Sequence, residues 1–103
     1  MSGGTFDYKE FGMQIIIDEI EHRIQVNGKK KNKNELEHTS DWYKDYPEDL
    51  FHYEYPPEVI KEFEKAVDVL KKALIYSRRV DYLLAGDDGE EAFIERLNKE
   101  LNP

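Results

Sequence analysis

The stretch that decides the fold is Pro57–Ala85, PEVIKEFEKAVDVLKKALIYSRRVDYLLA. Apolar and small side chains recur in it at alternating steps of three and four residues, which is the spacing of one face of an α-helix. These positions are Val59, Phe63, Ala66, Val67, Leu70, Ala73, Leu74, Ser77, Val80 and Leu84. Proline is favoured at the first helical position and glycine just past the last one, so the pattern predicts a helix from about 57 to 85 that ends at Gly86.

A second, narrower apolar stripe follows the same helix through Val69, Tyr76 and Leu83, each seven residues after the one before. Two stripes on one helix indicate two packing partners. We expect the first helix to pack antiparallel on the wider stripe. The narrower stripe has two candidate partners, the aromatic segment described below and a neighbouring subunit.

Two shorter helices are predicted on either side of this one. Asp7 with Glu10 has the spacing of a capping box and opens a helix of about 8–26, which Asn27-Gly28 would end. Asp88 with Glu91 has the same spacing and opens a helix of about 89–101. No stretch alternates with the two-residue period of a strand. We therefore predict one all-α domain over 1–103, a small domain of about three helices built on an antiparallel helical hairpin.

The connecting segment 29–56 is charged and aromatic. A basic run, KKKNK, occupies residues 29–33, and residues 34–58 hold eight acids, one lysine and most of the aromatic rings. Ser40 or Asp41 can cap a short helix through Tyr46, which Pro47 would end. Because exposed aromatic rings gain from burial, we expect the rings of this segment to find packing partners and the segment to be ordered.

Composition excludes several functional classes. The chain has 103 residues, no cysteine and a net charge of -8, and no stretch approaches the roughly 20 apolar residues that span a bilayer. Binding to nucleic-acid backbone requires a basic surface, so we expect no nucleic-acid partner and no membrane partner. The absence of cysteine and of a secretory signal favours the cytoplasm, or the host cytoplasm if a phage encodes the protein. Three helices bury only a thin core, which favours a homo-oligomer.

Catalytic and metal signatures are missing from the sequence. The histidines His22, His38 and His52 lack the spacing of a zinc site, and no serine lies in a nucleophile motif. The acidic run 86–91, GDDGEE, does not alternate as a calcium loop requires and is explained by a helix end followed by a helix start. We expect no enzyme activity, no catalytic residue, no metal and no cofactor.

One local charge anomaly suggests a ligand site. Between Asp68 and Asp81 the long helix carries four positive charges and no acid, in a chain that is otherwise acidic. Helical spacing places Lys71, Ile75, Arg78 and Tyr82 in one row, and Lys72, Tyr76 and Arg79 in the next. Arginine suits phosphate oxygens and tyrosine suits stacking on a base, so the strip resembles one wall of a nucleotide pocket. The candidate ligand-binding residues are Tyr8, Lys72, Tyr76, Arg78, Arg79 and Tyr82. Alternatively, these cations pair with Asp68, Asp81 and acids of neighbouring helices.

Two segments resemble a known family. The opening Gly3–Tyr8, GGTFDY, and the run Arg79–Phe93, RVDYLLAGDDGEEAF, are similar to a family of small proteins encoded by phages and bacteria. With the helix that leads into the second segment, the resemblance covers about half of the chain. It implies a small accessory protein, of a kind that often blunts host defence. It implies no activity, so no functional residue is carried over.

Three functions are compatible with these features. In the first, the protein is an anti-defence sponge, an oligomer that sequesters a nucleotide-derived immune signal such as a cyclic dinucleotide or an ADP-ribose derivative. In the second, it is an acidic inhibitor that mimics nucleic acid and occupies a basic groove of a host defence protein. In the third, it is a helical adaptor or assembly module without a small-molecule ligand.

Overall fold

The computed structural model describes Phe6 and residues 9–103. Four α-helices follow one another: α1 (Phe11–Gln25), α2 (Ser40–Asp45), α3 (Pro57–Leu84) and α4 (Glu90–Leu101). Two short 3-10 helices, Lys33–Glu35 and Pro47–Leu50, flank α2. The described residues contain no strand, only an isolated antiparallel bridge between Lys30 and Phe51, so the all-α prediction is confirmed for this part of the chain.

The ends of α3 follow the sequence signals. Pro57 occupies the first position and lacks only an N–H that no helical partner would have used. At the other end Gly86 has φ 84°, and the Asp87 N–H donates to the carbonyl of Tyr82 over 2.8 Å. Glycine adopts such a left-handed conformation without the steric cost that a β-carbon imposes, so the helix stops here.

The two flanking helices differ from prediction at their starts. α1 begins at Phe11, with Lys9 and Glu10 in a turn, while the predicted cap Asp7 lies outside the described residues. α4 begins after Gly89, and its N-cap has no side-chain hydrogen bond. The predicted capping box of Asp88 is therefore wrong. The Asp88 carboxylate accepts hydrogen bonds from two arginines instead, and a charged donor is a stronger partner than a backbone amide.

The wider stripe of α3 packs on α1. Ile17 is fully buried in a cluster with Val67 and Leu74, and four partly buried side chains surround that cluster, namely Met13, Ile20, Ile24 and Leu70. The backbone N–H of Phe6 donates to Asp81 over 2.9 Å, at the far end of α3. Glu21 lies 3.4 Å from Lys71, nearer the middle of that helix.

Two of the three residues of the narrower stripe of α3 remain uncovered. Val69 is 65% exposed and Tyr76 48% exposed, whereas Leu83 is partly buried. Among the helices that the structure describes, α2 contacts only the 3-10 helix Pro47–Leu50 and does not cover this stripe. Several rings of the segment pack on one another, and one of them packs on Phe63 at the start of α3. The rings therefore have packing partners, as expected, although most of them stay exposed.

The molecule is elongated and has little interior. Its Cα atoms span 62 × 31 × 15 Å with a radius of gyration of 19.7 Å, against about 13 Å for an ordinary domain of this length. Among the described residues, the buried apolar side chains are Ile17, Val67, Leu74 and Leu97. Such a core leaves apolar side chains of α1, α3 and α4 in solvent.

Candidate functional site

The two rows of α3 that carry the four cations are called the cationic strip. Its first row, which begins with Lys71, faces α1. The Lys71 ammonium lies 3.4 Å from the Glu21 carboxylate, with both side chains about half exposed. Arg78 follows Lys71 by seven residues and Leu74 by four, which places it on the same side of the helix. Arg78 is partly buried there and forms no ion pair with the residues that the structure describes. This row therefore borders the α1–α3 contact instead of lining an open wall.

Arg79, in the second row, already has partners within the chain. Its Nη1 donates to Asp88 Oδ2 over 3.3 Å, and its guanidinium carbon lies 4.6 Å from the centre of the Tyr82 ring. Its Nε lies 3.2 Å from Glu100 Oε1, outside hydrogen-bond geometry. The Arg79 side chain is 13% exposed and that of Asp88 is 2% exposed. Arg79 thus links α3 to the turn before α4, and the Tyr82 ring packs on its guanidinium group.

The prediction of an unneutralised strip is therefore wrong for two of its four cations. Lys71 is paired with Glu21, and Arg79 is paired with Asp88. The alternative that acids of neighbouring helices pair with these cations is right for Lys71, which pairs with Glu21 of α1, and for Arg79, which pairs with Asp88 just before α4. Asp68 and Asp81 form no ion pair with these cations among the residues that the structure describes.

Lys72 and Tyr76, on the second row, remain exposed to solvent. Lys72 is exposed and forms no ion pair within the described part of the chain. Tyr76 lies one turn further on, with its ring 48% exposed, and Val69 precedes Lys72 by three residues. Positions separated by three and seven residues share a helix face, so a cation and an aromatic ring lie together on the uncovered stripe. Tyr8, the remaining predicted contact, lies outside the described residues.

Three clefts among the described residues are lined by neither Lys72 nor Tyr76. One of about 590 Å³ is lined by residues of the connecting segment, including His52. Another of about 720 Å³ lies where that segment enters α3, beside Ile60. A third, of about 220 Å³, lies between α1 and α3 beside Glu21 and borders the first row. None of these three clefts provides a wall for a ligand on the second row.

A second polar cluster stabilises the connecting segment. His52 Nε2 lies 2.8 Å from Glu35 Oε2, and the His22 ring of α1 stands edge-on to His52 with centroids 6.2 Å apart. The Asn32 backbone N–H donates to Glu35 over 2.9 Å. This hydrogen bond, and secondarily His52, lowers the pKa of Glu35 below its ordinary value. No group of histidines and carboxylates among the described residues is placed to hold a metal ion.

Sequence analysis missed the burial of two acids. Asp81 is 3% exposed and Asp88 6% exposed, although both lie in segments that read as solvent-facing. A stack of three rings was not predicted either: His38 lies just before α2, Trp42 within it and Tyr46 at its C-cap. Their spacing of four residues was the available signal, although the helix that brings the rings together is only six residues long.

Comparison with known proteins adds no assignment, because no family model, no curated protein and no solved structure matches the chain. Among the described residues, no helix combines the length and apolar character needed to cross a membrane. Any functional conclusion therefore depends on the geometry of the chain itself.

Proposed function

We propose that the protein is a homo-oligomeric, non-enzymatic sponge that sequesters a nucleotide-derived anion, such as a cyclic dinucleotide or an ADP-ribose derivative. One observation carries the proposal: Val69, Lys72 and Tyr76 form an uncovered face of α3 on which a lysine without an ion pair adjoins an exposed aromatic ring.

Self-association would cover that face. In this proposal the protomer is an antiparallel hairpin of α1 and α3, and the stripe spaced by seven residues packs against the same stripe of a second copy. That spacing is the one at which two helices interlock. The small core favours such a contact, because apolar surface removed from water contributes about 25 cal/mol per Å².

A symmetric contact would also create the ligand site. In a two-fold interface each residue near the axis meets its own copy, so two Lys72 ammonium groups approach each other. Like charges that approach without a partner repel, and a phosphate between them would relieve that repulsion. Tyr76 rings from both copies would stack on the attached base. The net charge of -8 would keep nucleic acids away from the site while a small anion enters.

The predicted residues then take different roles. We assign ligand contact to Lys72 and Tyr76, and support of the surface to Arg79, which is linked to Asp88, and to Tyr82, which packs on Arg79. Tyr8 and Arg78 stay predicted ligand contacts, and Arg78 would act from the row that borders α1. The proposed protein acts by binding alone and uses no catalytic residue, metal or cofactor.

Native mass spectrometry and thermal shift test the proposal together. We expect an oligomer, and a rise of about 5 °C or more in melting temperature with one member of a panel of cyclic dinucleotides and ADP-ribose derivatives, because a ligand bound to the native state stabilises it. Lys72→Ala should abolish the shift. Lys99→Ala, an exposed lysine near the end of α4, should leave it unchanged.

The adaptor or assembly module is the second candidate, and it is favoured because the three clefts described above are lined by neither Lys72 nor Tyr76. An oligomer that shows no thermal shift across the panel would establish this function and overturn the sponge. A monomer at tens of micromolar would overturn both. Tyr76→Glu tests oligomer formation separately from ligand binding. A charge on the uncovered face should dissociate the oligomer whether the protein is a sponge or an adaptor.

A further inference from the structure

A stack of three aromatic rings lies in the connecting segment and shares no residue with the face just described. The rings of His38 and Trp42 are stacked with centroids 4.2 Å apart, and those of Trp42 and Tyr46 with centroids 4.5 Å apart. The Trp42 Nε1–H donates to Asp49 Oδ2 over 2.8 Å and fixes the orientation of the indole. The Tyr43 hydroxyl accepts hydrogen bonds from the backbone of Glu37 and His38, which holds the turn that carries His38.

The stack takes no part in the core. α2 contacts only the 3-10 helix Pro47–Leu50 among the described helices, and Trp42 and Tyr46 are 38% and 45% exposed. Burying a large aromatic side chain stabilises a fold, and this arrangement forgoes part of that stabilisation. Exposed and pre-oriented tryptophan and tyrosine are the side chains that most often anchor binding partners.

The segment that carries the stack is acidic, and one side of it meets the basic run 29–33, where the Lys31 backbone N–H donates to the Leu50 carbonyl over 2.7 Å. Residues 36–50 contain five carboxylates and one lysine. That lysine, Lys44, lies 3.6 Å from Asp41, with both side chains more than three-quarters exposed, so the pair screens little of the charge. Beside the rings lies a polar cleft of about 210 Å³, and its lining residues are Lys31, Glu37, His38, Tyr43 and Asp49.

We propose that this surface, the acidic ring stack, docks an arginine-rich segment of a partner protein. A guanidinium group is planar, stacks on aromatic faces and forms paired hydrogen bonds with carboxylates, and the acidic ring stack supplies both kinds of contact. The outer faces of His38 and Tyr46 receive guanidinium groups, while Glu37 and Asp45 neutralise them. A nucleic acid would be repelled by the same carboxylates, and a neutral sugar would gain nothing from them.

Trp42 is the single tryptophan of the chain, so its fluorescence reports on the site directly. The protein is titrated with a peptide of about four arginines spaced by glycine, the lysine peptide and the citrulline peptide, and affinities are checked by calorimetry. We expect saturable quenching by the arginine peptide, about fivefold weaker binding of the lysine peptide, and none by citrulline. Raising the salt from about 50 to about 300 mM should weaken arginine binding severalfold.

Variants locate the site on the ring stack. Calorimetry should show a loss of about fivefold or more in affinity for Trp42→Ala, and a smaller loss for Trp42→Phe, which keeps a ring in the stack. Asp45→Asn should also weaken binding, while the exposed residues Tyr53→Ala and Glu62→Gln serve as controls without effect. Because α2 contacts neither α1 nor α3, circular dichroism should show the helices intact in each variant.

Other outcomes overturn the proposal. Equal affinity for the arginine and lysine peptides would mean that charge alone binds, as expected of a nucleic-acid mimic. Binding of the citrulline peptide or of a neutral oligosaccharide would mean that the rings act without the acids. A change of Trp42 fluorescence with protein concentration in the absence of peptide would identify the basic run 29–33 of a second copy as the occupant.

Discussion

Asp88 and Arg79 join α4 to α3 through a nearly water-free contact, with Oδ2 3.3 Å from Nη1 and the two side chains 2% and 13% exposed. Arg96 of α4 reaches the other oxygen of the same carboxylate. One aspartate in the turn between the two helices therefore holds an arginine from each. This contact also explains why Arg79 is not available to a ligand.

We expect Asp88→Asn to destabilise the protein by about 2 kcal/mol, because the buried Arg79 loses a charged hydrogen bond and keeps only the Glu100 carboxylate nearby. Urea unfolding followed by circular dichroism measures the loss. The neighbouring Asp87→Asn is the control, since Asp87 is exposed and forms no ion pair within the described chain. Equal losses in the two variants would show that the Asp88–Arg79 contact contributes no stability.

Ile17 is the fully buried side chain of the α1–α3 cluster. We expect Ile17→Ala to lower the free energy of unfolding by about 3 kcal/mol, the usual result of emptying a core position. Ile15→Ala removes the same atoms two residues earlier, where the side chain is 68% exposed, and should cost about 0.5 kcal/mol or less. If the two variants melt alike, α1 does not pack on α3 through Ile17.

Two glycines have free space around them, so replacing each by alanine tests backbone conformation without a change in packing. Gly86 has φ 84° and no described atom within 4 Å of the position of an added β-carbon. Gly86→Ala should therefore destabilise the protein by about 1–2 kcal/mol through backbone strain alone. Gly12 lies in α1 with the same free space, so Gly12→Ala should stabilise it by up to about 1 kcal/mol. Thermal denaturation should show a lower melting temperature for Gly86→Ala and a higher one for Gly12→Ala. A change in the same direction for both variants would contradict the helix boundaries.

Glu35 makes the connecting segment sensitive to acid. Its pKa lies below the ordinary value of 4.5, chiefly because of the Asn32 backbone N–H and secondarily because of His52. A carboxyl group with a lowered folded pKa contributes stability above its unfolded pKa and loses it as the pH falls through the folded value. We therefore expect the Glu35–His52 contact to persist at pH 4.5 and to weaken at lower pH.

An NMR titration of the Glu35 side-chain carboxyl carbon measures this pKa. His52→Gln should raise the pKa only in part, because the larger cause, the Asn32 backbone hydrogen bond, remains. His38→Gln, whose ring belongs to the stack on α2, should leave it unchanged. A midpoint at or above 4.5 in the native protein would contradict the observed geometry.

Features of the fold that depend on neighbouring residues could be predicted from the sequence, and features that depend on residues far apart could not. The long helix, its proline start and its stop at Gly86 follow from spacing and from single-residue conformational preferences, and the structure reproduces them. The start of α4 did not follow, because Asp88 had two available partners. The capping-box spacing predicts a hydrogen bond from the backbone amide of Glu91 to Asp88. In the folded protein Arg79 and Arg96 bind the Asp88 carboxylate instead.

The candidate site shows the same division. The sequence by itself determined that four cations and two tyrosines lie on two adjacent rows of one helix, since helical periodicity requires it. Only the tertiary structure decided that Glu21 neutralises Lys71, that Asp88 neutralises Arg79, and that Lys72 and Tyr76 stay exposed. Ion pairing depends on distances of a few ångströms between residues far apart in the chain, and those distances exist only after the helices have packed.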